Sequence, residues 1–382
     1  MTHFRWLTAG ESHGKALIGV LEGLPAGLEL SEARINLELE RRQRGYGRGG
    51  RMKIEKDQVD LLSGLRAGVT LGSPLAYSVS NKDAVIERLP IPPNPRPGHA
   101  DLAGCQKYGH QNPRDILERA SARETATRVA AGGIARQVLE FFGVEIFGHV
   151  LELGGEAVRA DSWGAAGEER FQIRDASDCL SLDPEADERM RAAVDRAKEQ
   201  GDTLGGIFEV RAMGLPPGLG SYASGPERLT SRLGAALFAI PAMKGVEFGL
   251  GFEAARVPGS QAHDAILPGG DLANGGRFRR ETNRSGGLEG GMTTGEPLVC
   301  RVAMKPIPTL RQALPSVDFA TGEASEAAYQ RSDVTSVPAA SVVGEAVVAL
   351  TLVEAFLEKF GGDSMEELVR AHQGYRERLT RI

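Results

Sequence analysis

Two histidines sit where an imidazole could do acid–base work. His13 lies in Gly10-Glu-Ser-His-Gly14, between small residues that let a ligand approach closely, with Ser12 beside it. His99 lies in Arg96-Pro-Gly-His-Ala-Asp101, where Pro97-Gly98 is a turn signature that would present the ring at a loop tip between a cation and an anion. Each string has a plainer reading as a turn or surface loop with an incidental histidine. His110 reads as a loop histidine, and His3, His149, His263 and His372 fall in no motif.

Arginines supply the second kind of chemistry. The segment from Arg41 to Lys53 carries six basic residues, no acid and interleaved glycines. Arginine's planar fork suits phosphate and carboxylate, so the segment reads as a site for a small multi-anionic ligand or as an RGG-like nucleic-acid arm. In Arg119-Ala-Ser-Ala-Arg-Glu-Thr125, the Ser121/Glu124 spacing is that of a capping box. Helix N-terminal amides with Ser121, Arg119 and Arg123 would then form an anion site. Asn283-Arg-Ser-Gly-Gly287, Lys305-Pro-Ile-Pro-Thr309 and Arg331-Ser-Asp333 add cations and glycines to the inventory. No nucleophile elbow, HExxH or paired cysteines occur. The residues by themselves describe a protein that binds a ligand with several negative charges and moves protons; they do not reach a reaction.

These loops need elements to hold them. Start and stop signals predict helices from Ser31 through Arg42, from Ser121 to Phe142 before Gly143, and from a Pro184 start capped by Asp183 to Gly201. Two more are predicted from Pro226 to Ile240 and from Ala339 to Phe360, the last being the most apolar. Strand-like runs cover Leu17 to Leu21, Gly68 to Val79, Val144 to Leu151, Gly206 to Ala212, Gly245 to Phe252 and Leu298 to Lys305. No regular βαβ beat and no GxGxxG between strand and helix appear, which excludes a Rossmann or P-loop reading. The pattern predicts one large α+β domain over residues 1–382, with a glycine-rich excursion from Pro258 to Gly295 as lid or site wall.

Composition sets outer bounds. With 41% hydrophobic, 25% charged and 5% aromatic residues, the chain is globular, not disordered or fibrous. A net charge of -6 means that any polyanion binding must come from local clusters. Cys105, Cys179 and Cys300 lack metal or disulfide spacing, the N-terminus shows no leader, and the apolar runs Leu233 to Met243 and Ala346 to Val353 fall short of a bilayer span. A reduced, soluble, cytoplasmic protein is expected.

The strings Gly10–Gly14, Arg96–Asp101, Ala120-Ser-Ala-Arg-Glu-Thr125 and Arg331-Ser-Asp333, in that order, resemble those of chorismate synthase. Gly245-Val-Glu, Gly259-Ser-Gln and Gly286-Gly-Leu-Glu-Gly-Gly291 extend the resemblance over essentially the whole chain. It implies a layered α+β fold of helices and mostly antiparallel sheets, usually a homotetramer, and a 1,4-anti elimination of phosphate from 5-enolpyruvylshikimate 3-phosphate. Reduced FMN is required without net redox change, and no added reductase domain is visible, so an outside flavin reductant is expected. By the same resemblance, His13 is the acid near the leaving phosphate with Ser12 beside it, His99 protonates or polarises the reduced flavin, and Asp333 relays the proton. Arg42 and Arg48 match substrate or nicotinamide-nucleotide (NADP) contacts, and Arg96, Arg123 and Arg331 complete the anion clamp. FMN contacts fall on Arg119, Ala120, Ser121, Pro241, Ala242, Gly290, Lys305, Pro306, Ile307, Pro308, Thr309 and Arg331. Ala120 stands where many relatives carry Ser, and Pro241 has no N–H to donate. No metal is implied.

Replacing His13 or His99 by alanine is expected to lower turnover by ~10²–10⁴ with the fold intact, as for loop-borne acid–base groups. Steady-state kinetics on each variant checks this, and wild-type turnover in either removes that histidine from the mechanism.

Overall fold

The computed structural model describes residues 4–49, 55–164, 167–270, 276–327 and 333–382. Two antiparallel sheets enclose a helical layer. The first sheet orders Arg5–Ala9, Ala16–Glu22, Leu75–Ser80 and Val59–Leu61 side by side. The second orders Met243–Phe248, Leu298–Met304, Gly206–Met213, Glu145–Leu153 and the short Glu156–Ala157. Every registered strand pair is antiparallel, so the α+β expectation holds.

Helix Thr125–Phe141 packs on the first sheet, helix Val337–Phe360 on the second, and the two helices pack on each other with Glu32–Gln43 alongside. Small residues set these distances. A Cβ on Gly132 would stand 2.4 Å from the Cβ of Ala346, so only glycine lets the two helix backbones approach this closely. Gly19 faces Tyr77 across the first sheet, and the space it leaves lets the Tyr77 hydroxyl donate at 2.7 Å to the Thr127 carbonyl in the helical layer. One hydrophobic cluster runs continuously through both sheets and these helices.

The Val337–Phe360 helix is 24 residues long with mean hydropathy 1.9, long and apolar enough to cross a membrane, yet 94% of its apolar window is buried inside the protein. The apolar run is therefore longer than the Ala346–Val353 stretch singled out in the sequence, because Pro338 and the small residues after it also face the core.

A polar hub crosses this apolar layer. Glu345, buried on the Val337–Phe360 helix, accepts from Arg41 at 2.7 and 3.0 Å, from Arg136 at 3.0 Å, from Arg174 at 3.1 Å and from the Gly148 backbone N–H. Burial opposes its ionisation, but the three guanidiniums prevail and hold its carboxyl at about 2 against an ordinary 4.5.

Several boundaries differ from the sequence reading. The Gly68–Val79 run is broken by a turn at Gly72 (φ 79°), giving Val69–Thr70 and Leu75–Ser80. The fourth helix is shorter, Leu229–Phe238. The Gly245–Phe252 run begins at Met243 and ends at Phe248, where Gly249 turns at φ 56° into a 3₁₀ segment at Gly251–Ala255. Ser121 caps through the Arg123 N–H at 3.3 Å, not through Glu124, and a 3₁₀ turn over Ala122–Glu124 precedes Thr125–Phe141. Glu124 instead pairs with Arg128, so no capping box forms there. A true capping box lies at Ser364/Glu367, opening Met365–Leu379. Pro184–Gln200 forms with Asp183 as its cap, and Asp101–Tyr108, Pro113–Ala120, Glu168–Ala176 and the single turn Gly259–Ala262 are further helices. The Pro258–Gly295 excursion contains short hairpins, with Asp264 accepting from the Arg284 and Ser285 N–H groups at 2.7 and 2.9 Å.

Glu345→Ala leaves three buried arginines short of a counter-charge and is expected to lower stability by ~3–5 kcal/mol, read as a reduced urea midpoint. The depressed Glu345 carboxyl contributes stability that is present above an ordinary carboxyl's pKa and lost as pH falls from about 4.5 toward about 2. Glu345→Gln should remove that part of the acid limb.

Candidate active site

The His13 loop joins the first two strands and is held from three sides. Asn81 donates to the carbonyls of Glu11 and Gly14 at 3.1 and 2.8 Å, and the Ser12 N–H donates to the Glu118 carbonyl at 2.9 Å. The Glu118 carboxylate takes the His13 N–H at 2.9 Å and lies 2.9 and 3.1 Å from the ring Nδ1. Burial works against ionising Glu118, but His13 and Arg114, the latter donating at 3.2 Å, hold its pKa below the usual carboxylate range. The His13 Nε2 lies 3.8 Å from Asp83.

Beneath the loop, Arg123 donates to Asn81 at 2.8 Å and to both oxygens of buried Asp57 at 2.6 and 2.7 Å. Arg42 donates to the same Asp57 at 3.2 Å, to Thr125 at 3.0 Å and to the Ala122 carbonyl at 3.2 Å. Burial, with Arg123 and Arg48 nearby, lowers the Arg42 pKa to about 10 despite Asp57. Arg41 and Arg42 are therefore internal and not part of a pliant anion loop; Arg51 and Lys53, at the far end of that basic segment, lie outside the described residues. Arg48 pairs with Asp333 at 2.7 Å and donates to Ser336 at 3.0 Å, while Ser336 donates to Asp333 at 3.0 Å. Two expected partners of a ligand are thus paired with one another. Ser12 and Ser121 approach at 3.3 Å between their hydroxyls.

The second cluster centres on His99, at the turn before helix Asp101–Tyr108. Its Nδ1 lies 2.5 Å from Asp101 Oδ1, and Arg96 clamps Asp101 through Nε at 2.8 Å and Nη2 at 3.0 Å. The same Nδ1 lies 3.0 Å from Arg96 Nη2, which can only donate, but the carboxylate can only accept and is the nearer partner, so the contact with Asp101 favours the proton on Nδ1. Burial works against ionising Asp101, but His99 and Arg96 hold its carboxyl far below the usual range. Arg96 also reaches Thr309 at 3.3 Å, and Lys305 donates through Nζ to the Gly98 carbonyl. Burial, aided by Lys244, lowers the Lys305 pKa. The Lys305 N–H donates to the Ala242 carbonyl at 3.0 Å, and the Ile307 carbonyl accepts from Thr203 at 2.7 Å. Pro241, Ala242 and the Lys305-Pro306-Ile307-Pro308-Thr309 segment therefore meet the His99 turn, with Pro308 Cβ 3.6 Å from where a Gly98 Cβ would stand. Helix Asp101–Tyr108 packs on Pro113–Ala120 and so links this cluster to Glu118 and His13.

Other expected residues fall differently. Arg119 and Ala120 end helix Pro113–Ala120, while Ser121 opens the 3₁₀ turn that leads into Thr125–Phe141, so of the expected anion site Ser121 and Arg123 stand at a helix N-terminus and Arg119 at a helix C-terminus; Arg119 donates to the Thr8 and Gly10 carbonyls, each at 3.0 Å. Gly290 turns a hairpin (φ 58°) whose neighbour Gly291 accepts from Leu229 N–H at 2.8 Å. It lies by the start of the Leu229–Phe238 helix, whereas Pro241 and Ala242 follow its end about 15 Å away. Arg331 lies outside the described residues. Among the described residues no group of three or more metal-ligating side chains occurs.

Glu118, Asp57 and Asn81 were not singled out in the sequence. Asn112-Pro113 is a legible helix start, and on that helix Arg114 and Glu118 stand at i,i+4 spacing. Nothing local points to Asp57 or Asn81, whose partners are 15 to 70 residues away.

Two histidines, each seated on a buried carboxylate among inward-facing arginines, are the arrangement that an acid–base enzyme with an anionic ligand requires. A family profile described as chorismate synthase matches residues 4–357. A chorismate synthase from Syntrophotalea carbinolica is 53% identical over 395 residues, covering 100% of both chains, and one from Geobacter sulfurreducens is 51% identical, covering 98% of each. A crystal structure of chorismate synthase superposes with a TM-score of 0.82 at 43% identity, covering 100% of this chain and 99% of the other. The chain belongs to the chorismate synthase family, whose members are lyases.

Ala242 holds φ 72°, a left-handed conformation that costs a side-chain-bearing residue of order 1 kcal/mol. Ala242→Gly is expected to leave thermal stability equal or slightly higher, and Ala242→Val to lower it by ~1–3 kcal/mol. Calorimetry on the two variants checks the order.

Proposed function

We propose that the protein converts 5-enolpyruvylshikimate 3-phosphate to chorismate by 1,4-anti elimination of phosphate, with reduced FMN bound and no net redox change, closing the shikimate pathway. The observation that carries this reading is the pair of histidine–carboxylate contacts, His13 on Glu118 and His99 on Asp101, inside the two motifs that carry the family resemblance.

The substrate brings two carboxylates and a phosphate to a site provided with Arg48, Arg96 and Arg123. His13, with Nδ1 turned to Glu118, offers Nε2 as the acid that protonates the departing phosphate, and Ser12 lies beside it. Arg42 acts one layer deeper, through Asp57 and Arg123, because its own nitrogens are engaged internally. His99, with its Nδ1 proton fixed by Asp101, presents the other face of its ring to a cofactor held by Ala242 and the Lys305–Thr309 segment. Reduced flavin, when bound, would supply electron density that helps expel phosphate and an acceptor for the departing hydrogen. Asp333, next to Arg48, would hold a proton for return to solvent.

The residues fit a flavin in part. The Pro241–Ala242 and Lys305–Thr309 segments meet at the Lys305 N–H to Ala242 carbonyl bond, and Arg119 and Ser121 add a cation and a hydroxyl to the inventory. Gly290 stands apart from them in this chain. The same reading makes the enzyme a cytoplasmic homotetramer supplied with reduced flavin from outside.

An anaerobic assay of the purified protein with chemically reduced FMN and 5-enolpyruvylshikimate 3-phosphate tests the proposal. Chorismate absorbance and free phosphate are expected to appear in equal amounts, and neither with oxidised FMN. A folded, flavin-binding protein that gives no product refutes it.

A further inference from the structure

We infer that Glu118 is the positioning residue of His13: it fixes the ring proton on Nδ1 and presents Nε2 for transfer. The inference rests on the acid role proposed above for His13.

The geometry is over-determined. One carboxylate receives the His13 backbone N–H at 2.9 Å and faces the same residue's Nδ1 at 2.9 and 3.1 Å, so main chain and ring are oriented by one group. The Glu118 backbone carbonyl holds the preceding residue, Ser12, at 2.9 Å. A carboxylate is acceptor-only, so the nitrogen facing it must carry hydrogen, and a neutral ring then has its lone pair on Nε2. To donate from Nε2 the ring must hold both protons, and the acceptor-only carboxylate keeps one of them on Nδ1.

Glu118 is poorly explained as a helix-stabilising residue. Its side chain is 1% exposed, and it stands two residues before Ala120 at the C-terminal end of Pro113–Ala120, where the helix dipole disfavours a negative charge. Arg114, one turn earlier and itself fixed by the Pro90 carbonyl at 2.8 Å, supplies the compensating cation at 3.2 Å. The result is a buried relay, Arg114 to Glu118 to His13, running from the helix into the loop. Asp83, after strand Leu75–Ser80, faces the ring from the other side, 3.8 Å from Nε2, and Glu11 and Lys15 are the charged residues that flank His13 along the loop. His99 and Asp101 repeat the device in the second cluster with a carboxylate two residues away; at His13 the carboxylate is 105 residues away and only the fold delivers it.

The test uses ¹⁵N-histidine-labelled full-length protein without ligand, with His13 assigned by its loss in His13→Ala. Glu118→Gln keeps an acceptor near Nδ1 and removes the charge. The neutral wild-type ring is expected to carry its proton on Nδ1, and the Gln variant, whose side-chain amide can donate as well as accept, to show a mixture of the two tautomers. In the anaerobic assay the variant's kcat should fall about tenfold or more, with substrate KM little changed. An Nε2-protonated neutral ring in the wild type overturns the inference, even if the variant does not fold. Identical tautomer populations and kcat in the variant also overturn it. If the spectra show the Glu118-dependent ring and no variant, wild type included, makes chorismate, the lyase reading fails and the positioning stands.

Discussion

A single carboxylate buried in the helical layer fixes the relation of most elements. Glu345 gathers Arg41, Arg136, Arg174 and the Gly148 N–H, and so ties together helices Glu32–Gln43, Thr125–Phe141, Glu168–Ala176 and Val337–Phe360 and a strand of the second sheet. A charge this deep is tolerable only with all of its partners in place, so the hub admits one arrangement of those elements and penalises others. Glycines at 132 and 148 make room for it: a Cβ at Gly148 would press on Glu345 itself.

The site inherits its geometry from that arrangement. Arg41 and Arg42 are neighbours on one helix, so fixing Arg41 on Glu345 aims Arg42 at Asp57 and Thr125. Thr125 begins the helix that carries Arg136 to the same hub, and Arg123 just before it shares Asp57 and reaches Asn81. Asn81 in turn holds the His13 loop. Core and site are thus consecutive parts of one polar chain.

Both acid–base clusters use one principle at different range. His99 and Asp101 lie in one turn, and the local string already contains cation, imidazole and anion. His13 obtains its carboxylate from a helix distant in sequence. The strained Ala242 backbone and the Lys305–Thr309 loop meet the His99 side, which concentrates backbone strain and a desolvated lysine next to a histidine. Such a concentration is characteristic of functional surfaces.

The sequence by itself determined the fold class, the main helices with Asp183-Pro184 or glycine signals at their ends, most of the strands of both sheets, and the histidine and arginine strings that carry the family resemblance. These signals are local: periodicity, caps, turns and short motifs are written in neighbouring residues. Some legible signals, the Ser364/Glu367 box and the Asn112-Pro113 start, went unread, while the Ser121/Glu124 spacing matched a box that Arg128 dissolves by claiming Glu124. Packing alone turns Arg41 and Arg42 inward, pairs Arg48 with Asp333, and brings Glu118 to His13 and Asp57 to Arg123. A charged side chain's role depends on which distant group removes it from water, and that partner is chosen by packing, not by spacing along the chain.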